Sequence, residues 1–374
     1  MRLGRSMRAA SGSLMLGLAL MASSCDDSDG GGDVCDGPTR CMAAGTLPLM
    51  TLAEYDFFQG KLAEMRPKDG VVPYTVAAPL WSDQAGKGRF IVLPEGGKIE
   101  FSADSDWEFP DGTILVKSFF FDHDRRDPGA GTRILETRLL VRAAGAWKGY
   151  TYLWNDEQTA VTLLKTGKHV MVDFVDLDGA AKTEEYIVPN LDQCSSCHER
   201  DDEEHSLGLI TPQMNMMVER DGKMVPQLDW LAGQGLFAAT PPASGSLMAF
   251  ADPLGTEGTL DWRARSYLHG NCAHCHQAGG GAGKSGLVFL ASETDPAKIG
   301  ICKVPAAAGP GAGGNPHDIV PGDPDRSIVI FRMNSLDPEI KMPELPNRVI
   351  DARGVQLIRD WIAAMPADSA CLEP

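Results

Sequence analysis

The chain contains the pentapeptide Cys-x-x-Cys-His twice, at 194–198 and at 272–276. Two cysteines at this spacing can each form a thioether with a vinyl group on one edge of a haem, and the adjacent His can bind the iron. Because the chain has only nine Cys and eight His among 374 residues, two chance copies are improbable. The motifs predict two covalently bound c-type haems, held by Cys194, Cys197, His198, Cys272, Cys275 and His276.

Zinc is the main alternative, since paired Cys-x-x-Cys motifs also form closed tetrahedral sites. However, 74 residues separate the two pairs, and each pair is followed at once by a His that an all-cysteine site would not need. A thioredoxin-like redox pair is a weaker alternative, because neither motif follows a strand in a βαβ pattern.

The first residues have the pattern of a bacterial export signal, which we expect to span 1–24. Three arginines are followed by an apolar stretch at 14–21, too short for a membrane span, and by small residues at 22–24. Cys25 follows in a context similar to a lipoprotein signal, so we expect a periplasmic protein whose lipidated Cys25 anchors it to a membrane. Secretion without a lipid is the alternative. Residues 25–45 begin with a polar, glycine-rich run typical of a flexible tether.

The remaining cysteines suggest disulfides. Cys35, Cys41, Cys302 and Cys371 are left once the haem and lipid positions are assigned. An even number in an oxidising compartment favours bridges, and three pairings are possible. We expect Cys35 with Cys41 and Cys302 with Cys371, with free buried thiols as the alternative.

The net charge limits the partners. At −17, and more negative once the signal is removed, the chain is a poor ligand for nucleic acid. Redox partner proteins, with a basic docking surface, fit this charge, although acidity can also serve solubility alone.

The predicted secondary structure changes from strands to mainly helices near residue 190, which predicts an α+β multidomain protein. Short runs rich in Val, Ile, Thr and aromatics fill 46–189 and predict an antiparallel β-sandwich or jelly-roll-like domain. Two mainly α-helical cytochrome c modules are expected next, an incomplete one at 190–256 and a class I-like one at 257–374. The predicted strands span 89–93, 98–102, 113–121, 134–141, 149–154, 160–164, 169–175 and 184–188.

The second haem module has a recognisable helical frame. Thr259 or Asp261 can cap a helix that leads into Cys272, and Asp351 can cap a helix with apolar residues at spacings of three and four. We expect the two helices to cross and pack. Met342 lies beside a Pro in the loop before the last helix, where it resembles the distal ligand of class I cytochromes c, and we expect it to bind the iron opposite His276.

The first module is less complete, because Pro189 prevents a long helix from running into its motif. A helix at 225–236 is expected downstream. The sixth ligand of this haem is open: Met214 has a Pro-adjacent loop context, and a vacant position is an alternative. The other candidates are Met216, Met217, Met224, Met248, His169 and His205.

Residues 191–361 are similar to two c-type cytochrome modules, and the mature chain resembles bacterial dihaem c-type cytochromes with an N-terminal all-β domain. Beyond the haem motifs, the resemblance is carried by PLWSD at 79–83, FPDGT at 109–113, ETR at 136–138, RARSYL at 263–268 and VPGDP at 320–324. The β-domain pieces suggest the family without implying a particular activity.

The leading functional expectation is periplasmic electron transfer, which needs no catalytic acid or base. One alternative is a dihaem oxidoreductase, similar to a peroxidase, with an open iron at the first haem. Another is a β-domain that docks a partner while the haems exchange electrons with it.

Overall fold

The structure is a computed structural model, which describes residues 47–306, 308–344, 347–367 and 371. The expected signal peptide, Cys25, Cys35 and Cys41 lie outside the described residues. The described residues combine a large antiparallel sheet with several helices, which confirms a mixed α+β fold.

The β structure of the described residues consists of one six-stranded sheet and four two-stranded pairs. The strands are β1 Phe58–Gln59, β2 Arg66–Pro67, β3 Val71–Pro73, β4 Gly86–Val92, β5 Ile114–Asp122, β6 Thr132–Ala143, β7 Ala146–Trp154, β8 Val161–Leu164, β9 Lys168–Val175, β10 Ala181–Val188, β11 Glu199–Arg200, β12 Glu203–Glu204, β13 Met217–Arg220 and β14 Lys223–Pro226. The strands of the main sheet pair in sequence order, β3-β4-β5-β6-β7-β8. All neighbours are antiparallel, so this sheet is a meander rather than the crossed strand order of a jelly roll. The two-stranded pairs are β1-β2, β9-β10, β11-β12 and β13-β14.

Most predicted strands are confirmed, with ends shifted by a few residues. The strand expected at 98–102 is wrong, because Ile99 and Glu100 form only isolated bridges, to Phe237 and Glu108. Ile99 is fully buried, so the apolar pattern there reflects packing against the chain after a helix rather than pairing in the sheet.

The two faces of the sheet bury different cores. On one face, Phe90, Val116 and Leu139 pack against residues 52–58, which precede the main sheet in the chain. The opposite face carries one core around Leu115 and Trp147 and another around Phe119, where the β9-β10 hairpin packs. Between these two cores the second face carries charged side chains, and a cavity opens there.

Seven α-helices are found in the described residues, most of them short. They are α1 Leu191–His198, α2 Thr211–Met214, α3 Gln227–Gly233, α4 Leu260–Asn271, α5 Pro296–Ile299, α6 Ile328–Met333 and α7 Ala352–Ala363. The helix expected at 225–236 is confirmed in shortened form as α3. In the described part of the chain, no helix is long and apolar enough to cross a membrane.

Candidate functional site

The first motif lies within α1. Asn190 caps this helix by accepting a hydrogen bond from the Gln193 backbone N–H, and the Gln193 side chain accepts one from the Asn190 N–H. The helix can therefore start directly after Pro189. At spacings of three and four residues, Cys194, Cys197 and His198 share one helix face. All three are half-buried, which suits groups that face a bound molecule.

A backbone carbonyl orients the imidazole of His198. Its Nδ1 lies 2.8 Å from the carbonyl oxygen of His205, and a carbonyl can only accept. Nδ1 therefore carries the ring proton, and Nε2 keeps a free lone pair. Burial lowers the pKa of His198 to about 4, so the ring is neutral at pH 7. A neutral imidazole with one nitrogen held in this way is the usual form of a metal-binding His.

Helix α4 delivers the second motif, as expected. Thr259 caps it, accepting a hydrogen bond from the Trp262 N–H at 3.1 Å. Cys272 follows the last residue of the helix, and the Cys275 and His276 N–H groups both donate to the Cys272 carbonyl. The motif therefore forms a tight turn at the end of α4.

The expected packing of α4 against α7 is confirmed. Tyr267 donates to the Asp351 carboxylate at 2.9 Å, and Trp361 Nε1 donates to Asp261 at 2.8 Å. The helices touch at Gly354, where an added Cβ would lie 2.2 Å from the Tyr267 oxygen. Asp351 also caps α7, so one residue both starts this helix and joins it to α4.

His276 is held in a similar way to His198. Its Nδ1 lies 3.2 Å from the Ser285 hydroxyl, and its ring packs edge-on against Phe289. Burial lowers its pKa to about 4. When Nδ1 donates to this hydroxyl, Nε2 keeps the lone pair that a metal ion needs.

The fold brings the two motifs into contact. The ligand atoms of Cys197, His274 and Cys275 lie within 4.8 Å of one another. The Cys275 sulfur is also 3.6 Å from the Ser196 carbonyl oxygen. A hydrogen bond between the two thiols lowers the pKa of Cys197 and raises that of Cys275. Two sulfurs and an imidazole could also hold a zinc ion, and the sequence separation of 74 residues gave no sign of this proximity.

A cavity of about 460 Å³ opens beside the first motif. This volume falls within the usual range for sites that bind small molecules and cofactors. Cys194, Cys197 and His198 form part of its wall, and strands β4, β5 and β6 form another part. The segment that carries the second motif contributes His269, Ala273 and His274.

Two further His side chains line the cavity, and both have Nδ1 occupied as an acceptor. The Ala291 N–H donates to His269 Nδ1 at 3.1 Å, and Arg200 Nη2 lies 3.2 Å from His205 Nδ1. An N–H and a guanidinium can only donate, so each Nδ1 is unprotonated and the ring proton is on Nε2. These rings can donate a hydrogen bond into the cavity, but they do not offer Nε2 to a metal. His269 was not among the site residues predicted from the sequence, although its position three residues before Cys272 places it next to the second motif.

The expected methionine ligands lie in different environments. Met214 is fully buried in the core around Trp107, its sulfur 4.0 Å from Gln227 Nε2. That position favours core packing. Met248 is 53% exposed and lines the cavity.

Met342 is half-buried in the loop before α7, and its backbone N–H donates to the Arg332 carbonyl at 3.0 Å. It is not among the described side chains that form the core between α4 and α7. A ligand role for Met342 remains a prediction.

The other sequence candidates are spread over the molecule. Met217 and Met224 are half or more exposed, and Met216 packs in a small core with Phe250. His169 lies on the β9-β10 hairpin, paired with Glu185 at 2.9 Å.

Cys302 and Cys371 form a disulfide, as expected from the sequence. The bridge closes a separation of 69 residues, and Cys371 is 1% exposed. It ties residue 371, beyond α7, back to the chain that follows α5.

The segment PLWSD connects the sheet with the second motif. The Asp83 carboxylate accepts hydrogen bonds from the backbone N–H groups of Arg348 and Val349, at 2.8 and 3.0 Å. Trp81 donates from its ring to the Val349 carbonyl, and its backbone N–H donates to Asn271 in the last position of α4. The β region therefore holds the loop before α7 and the end of α4 in place.

Comparison of the chain with protein-family models, with curated proteins and with solved structures finds no match. Its function must be inferred from its own residues and their geometry.

Proposed function

We propose that the chain is an exported dihaem c-type cytochrome that transfers electrons. The main support is that each Cys-x-x-Cys-His motif presents a neutral His with Nδ1 engaged, beside two cysteines. This is the donor set that a covalent haem requires, and the residues present fit it. When bound, such a group supplies a one-electron ferric/ferrous couple.

In this proposal each part of the chain has a defined task. The four cysteines would attach the cofactors, while His198 and His276 would bind the irons through Nε2. The predicted module at 257–374 would be class I-like, with Met342 as a further iron ligand. Because Cys197 and Cys275 lie within 4.8 Å, groups attached to them would be neighbours. Their proximity would suit electron transfer between the two groups.

The proposed location and partners follow from the sequence. Export by the N-terminal signal and lipidation of Cys25 would keep the protein at a membrane facing the periplasm. The net charge of −17 favours a redox partner with a basic docking surface.

The test is covalent haem attachment to the full chain, expressed with a c-type cytochrome maturation system. We expect two haems per chain by mass, and haem staining that survives denaturation. Replacing Cys194 and Cys197 with Ala, or Cys272 and Cys275, should leave one haem in each case. Replacing Cys302 and Cys371 with Ala is the matched control and should leave two. A chain without haem that carries a zinc ion would refute the proposal.

A dihaem oxidoreductase is the second candidate, and one observation favours it. His205 and His269 carry the ring proton on Nε2, so neither would offer that nitrogen to the iron of a haem at the first motif. Of the other proposed ligands, Met248 lines the cavity. Carbon monoxide binding to the reduced protein separates the two functions. A carrier with Met248 as ligand should bind none, and binding by the wild type would favour the enzyme.

A further inference from the structure

Three basic side chains stand side by side across the middle of the sheet. Arg89 on β4 is paired in register with Lys117 on β5, and Lys117 is paired with Arg138 on β6. Directly opposed residues on antiparallel strands point to the same face. All three side chains line the cavity beside Cys194 and His198. We call these three residues the cation row.

The cation row is only partly neutralised by the protein. Arg138 forms two hydrogen bonds with Glu136, at 2.5 and 2.8 Å, and Glu136 also accepts one from Tyr186. Among the described residues, Arg89 and Lys117 have no carboxylate at ion-pair distance. Two of the three basic side chains of the row therefore line the cavity without a carboxylate partner.

Such a row is costly unless something negative faces it. Like charges directly opposite each other on neighbouring strands repel, and buried charges lose their hydration. Burial lowers the pKa of Arg89 and holds that of Lys117 well below its usual value. The Phe119 ring offers partial compensation, with the Lys117 Nζ 5.0 Å and the Arg138 guanidinium 4.3 Å from its centre.

We propose that the cation row binds the two propionate carboxylates of the haem attached to Cys194 and Cys197. The inference rests on the proposed function, which supplies a dianionic group in this cavity. Two carboxylates suit two basic side chains that lack a carboxylate partner, and arginine binds carboxylates well through paired hydrogen bonds. The β-sheet is then a wall of the first haem site, and binding this cofactor is one of its functions.

The test measures the reduction potential of each haem in the holoprotein, with the single-haem variants assigning the two values. Removing a nearby positive charge stabilises ferric iron, so Arg89→Gln and Lys117→Gln should each lower the first potential. We expect about a tenfold change in the one-electron reduction equilibrium, which corresponds to about 59 mV. The second haem should be unaffected.

Two matched variants make the result specific. Lys148→Gln removes an exposed charge from β7 in the same sheet and should leave both potentials unchanged. Lys117→Arg keeps the charge and should retain the wild-type value, which a purely structural role of Lys117 would not predict.

The outcomes separate this inference from the proposed function. Absence of haem at Cys194 and Cys197 in the wild type would refute the function itself. Attached haem whose potential responds to Lys117→Gln no more than to Lys148→Gln would overturn the inference alone. A first-haem potential that shifts when succinate is added to the wild type would also overturn it, because the row would then serve an exchangeable dicarboxylate.

Discussion

At the scale of single residues, ring nitrogens distinguish the His side chains of the site. His198 donates from Nδ1 to a carbonyl, whereas the Nδ1 of His269 accepts from a backbone N–H. The first arrangement leaves a lone pair for a metal, and the second leaves a proton. The sequence could identify His198 by its motif, but a tautomer depends on hydrogen-bond partners that only the folded chain supplies.

The first prediction at this scale concerns Met342 as an iron ligand. Met342→Ala should abolish the thioether-to-iron absorption band of one haem, because alanine has no sulfur to bind the iron. Met224→Ala is the control, since Met224 is 60% exposed on β14 and should leave the band unchanged. If the band persists in Met342→Ala, another group binds opposite His276.

The second prediction at this scale concerns His269 and the stability of the protein in acid. Burial lowers its pKa to about 4, below the ordinary value of about 6.5. Between pH 6.5 and 4 the unfolded chain therefore binds a proton at this position that the folded chain does not. The contribution of His269 to the free energy of unfolding is fully present above pH 6.5 and is lost as the pH falls. His269→Phe should reduce the acid slope of the unfolding free energy by about 1.4 kcal/mol per pH unit. Denaturant titrations between pH 4 and 6.5 measure this slope, and His169→Gln, at an exposed His, is the control. A slope in His269→Phe equal to that of the control would contradict the lowered pKa of His269.

At the scale of elements, local patterns predict well where local forces dominate. Thr259 and Asp351 cap α4 and α7 as expected, because a cap depends on residues within one turn. The strand expected at 98–102 fails, since Ile99 is apolar for a tertiary reason, its packing near Phe237. Apolar alternation alone does not distinguish pairing in a sheet from burial under a loop.

The close approach of α4 and α7 predicts the effect of a small substitution. Gly354→Ala places a methyl group against the Tyr267 hydroxyl, so the helices must separate or Tyr267 must lose its bond to Asp351. We expect a loss of about 1–3 kcal/mol in the free energy of unfolding, measured by denaturant titration of the holoprotein. Gly233→Ala is the control, since an added Cβ on α3 meets nothing within 4 Å and should be neutral or slightly stabilising. Equal stability of the two variants would show that the helices tolerate the wider spacing.

At the scale of the whole molecule, the β region and the helical region share their cores. Ile91 and Leu115 of the sheet pack with Leu228 and Leu231 of α3. The described residues accordingly form one compact unit, although the predicted secondary structure changes from strands to helices near residue 190. A change in secondary-structure type along the chain does not require a boundary in packing.

A substitution at Asp83 tests whether the β region holds the loop before α7 in place. Asp83→Ala removes the acceptor for two backbone N–H groups, those of Arg348 and Val349, and should cost about 1–3 kcal/mol of unfolding free energy. Thermal unfolding and limited proteolysis of the holoprotein measure the loss, with cleavage expected first in the loop before α7. Asp156→Ala, at a residue whose carboxylate side chain is 84% exposed, is the control. Wild-type protease resistance of Asp83→Ala would mean that this contact does not hold the loop.

The sequence by itself determined most of the strands, the helices that frame the second motif and one disulfide, and its two Cys-x-x-Cys-His motifs are the basis of the proposed cofactor chemistry. Each of these depends on residues close in the chain or on a distinctive spacing. Only the tertiary structure decided that Cys197 meets Cys275 and that Arg89, Lys117 and Arg138 form one row. Strand register and the docking of distant segments create these sites, and both follow from long-range packing that no local pattern encodes.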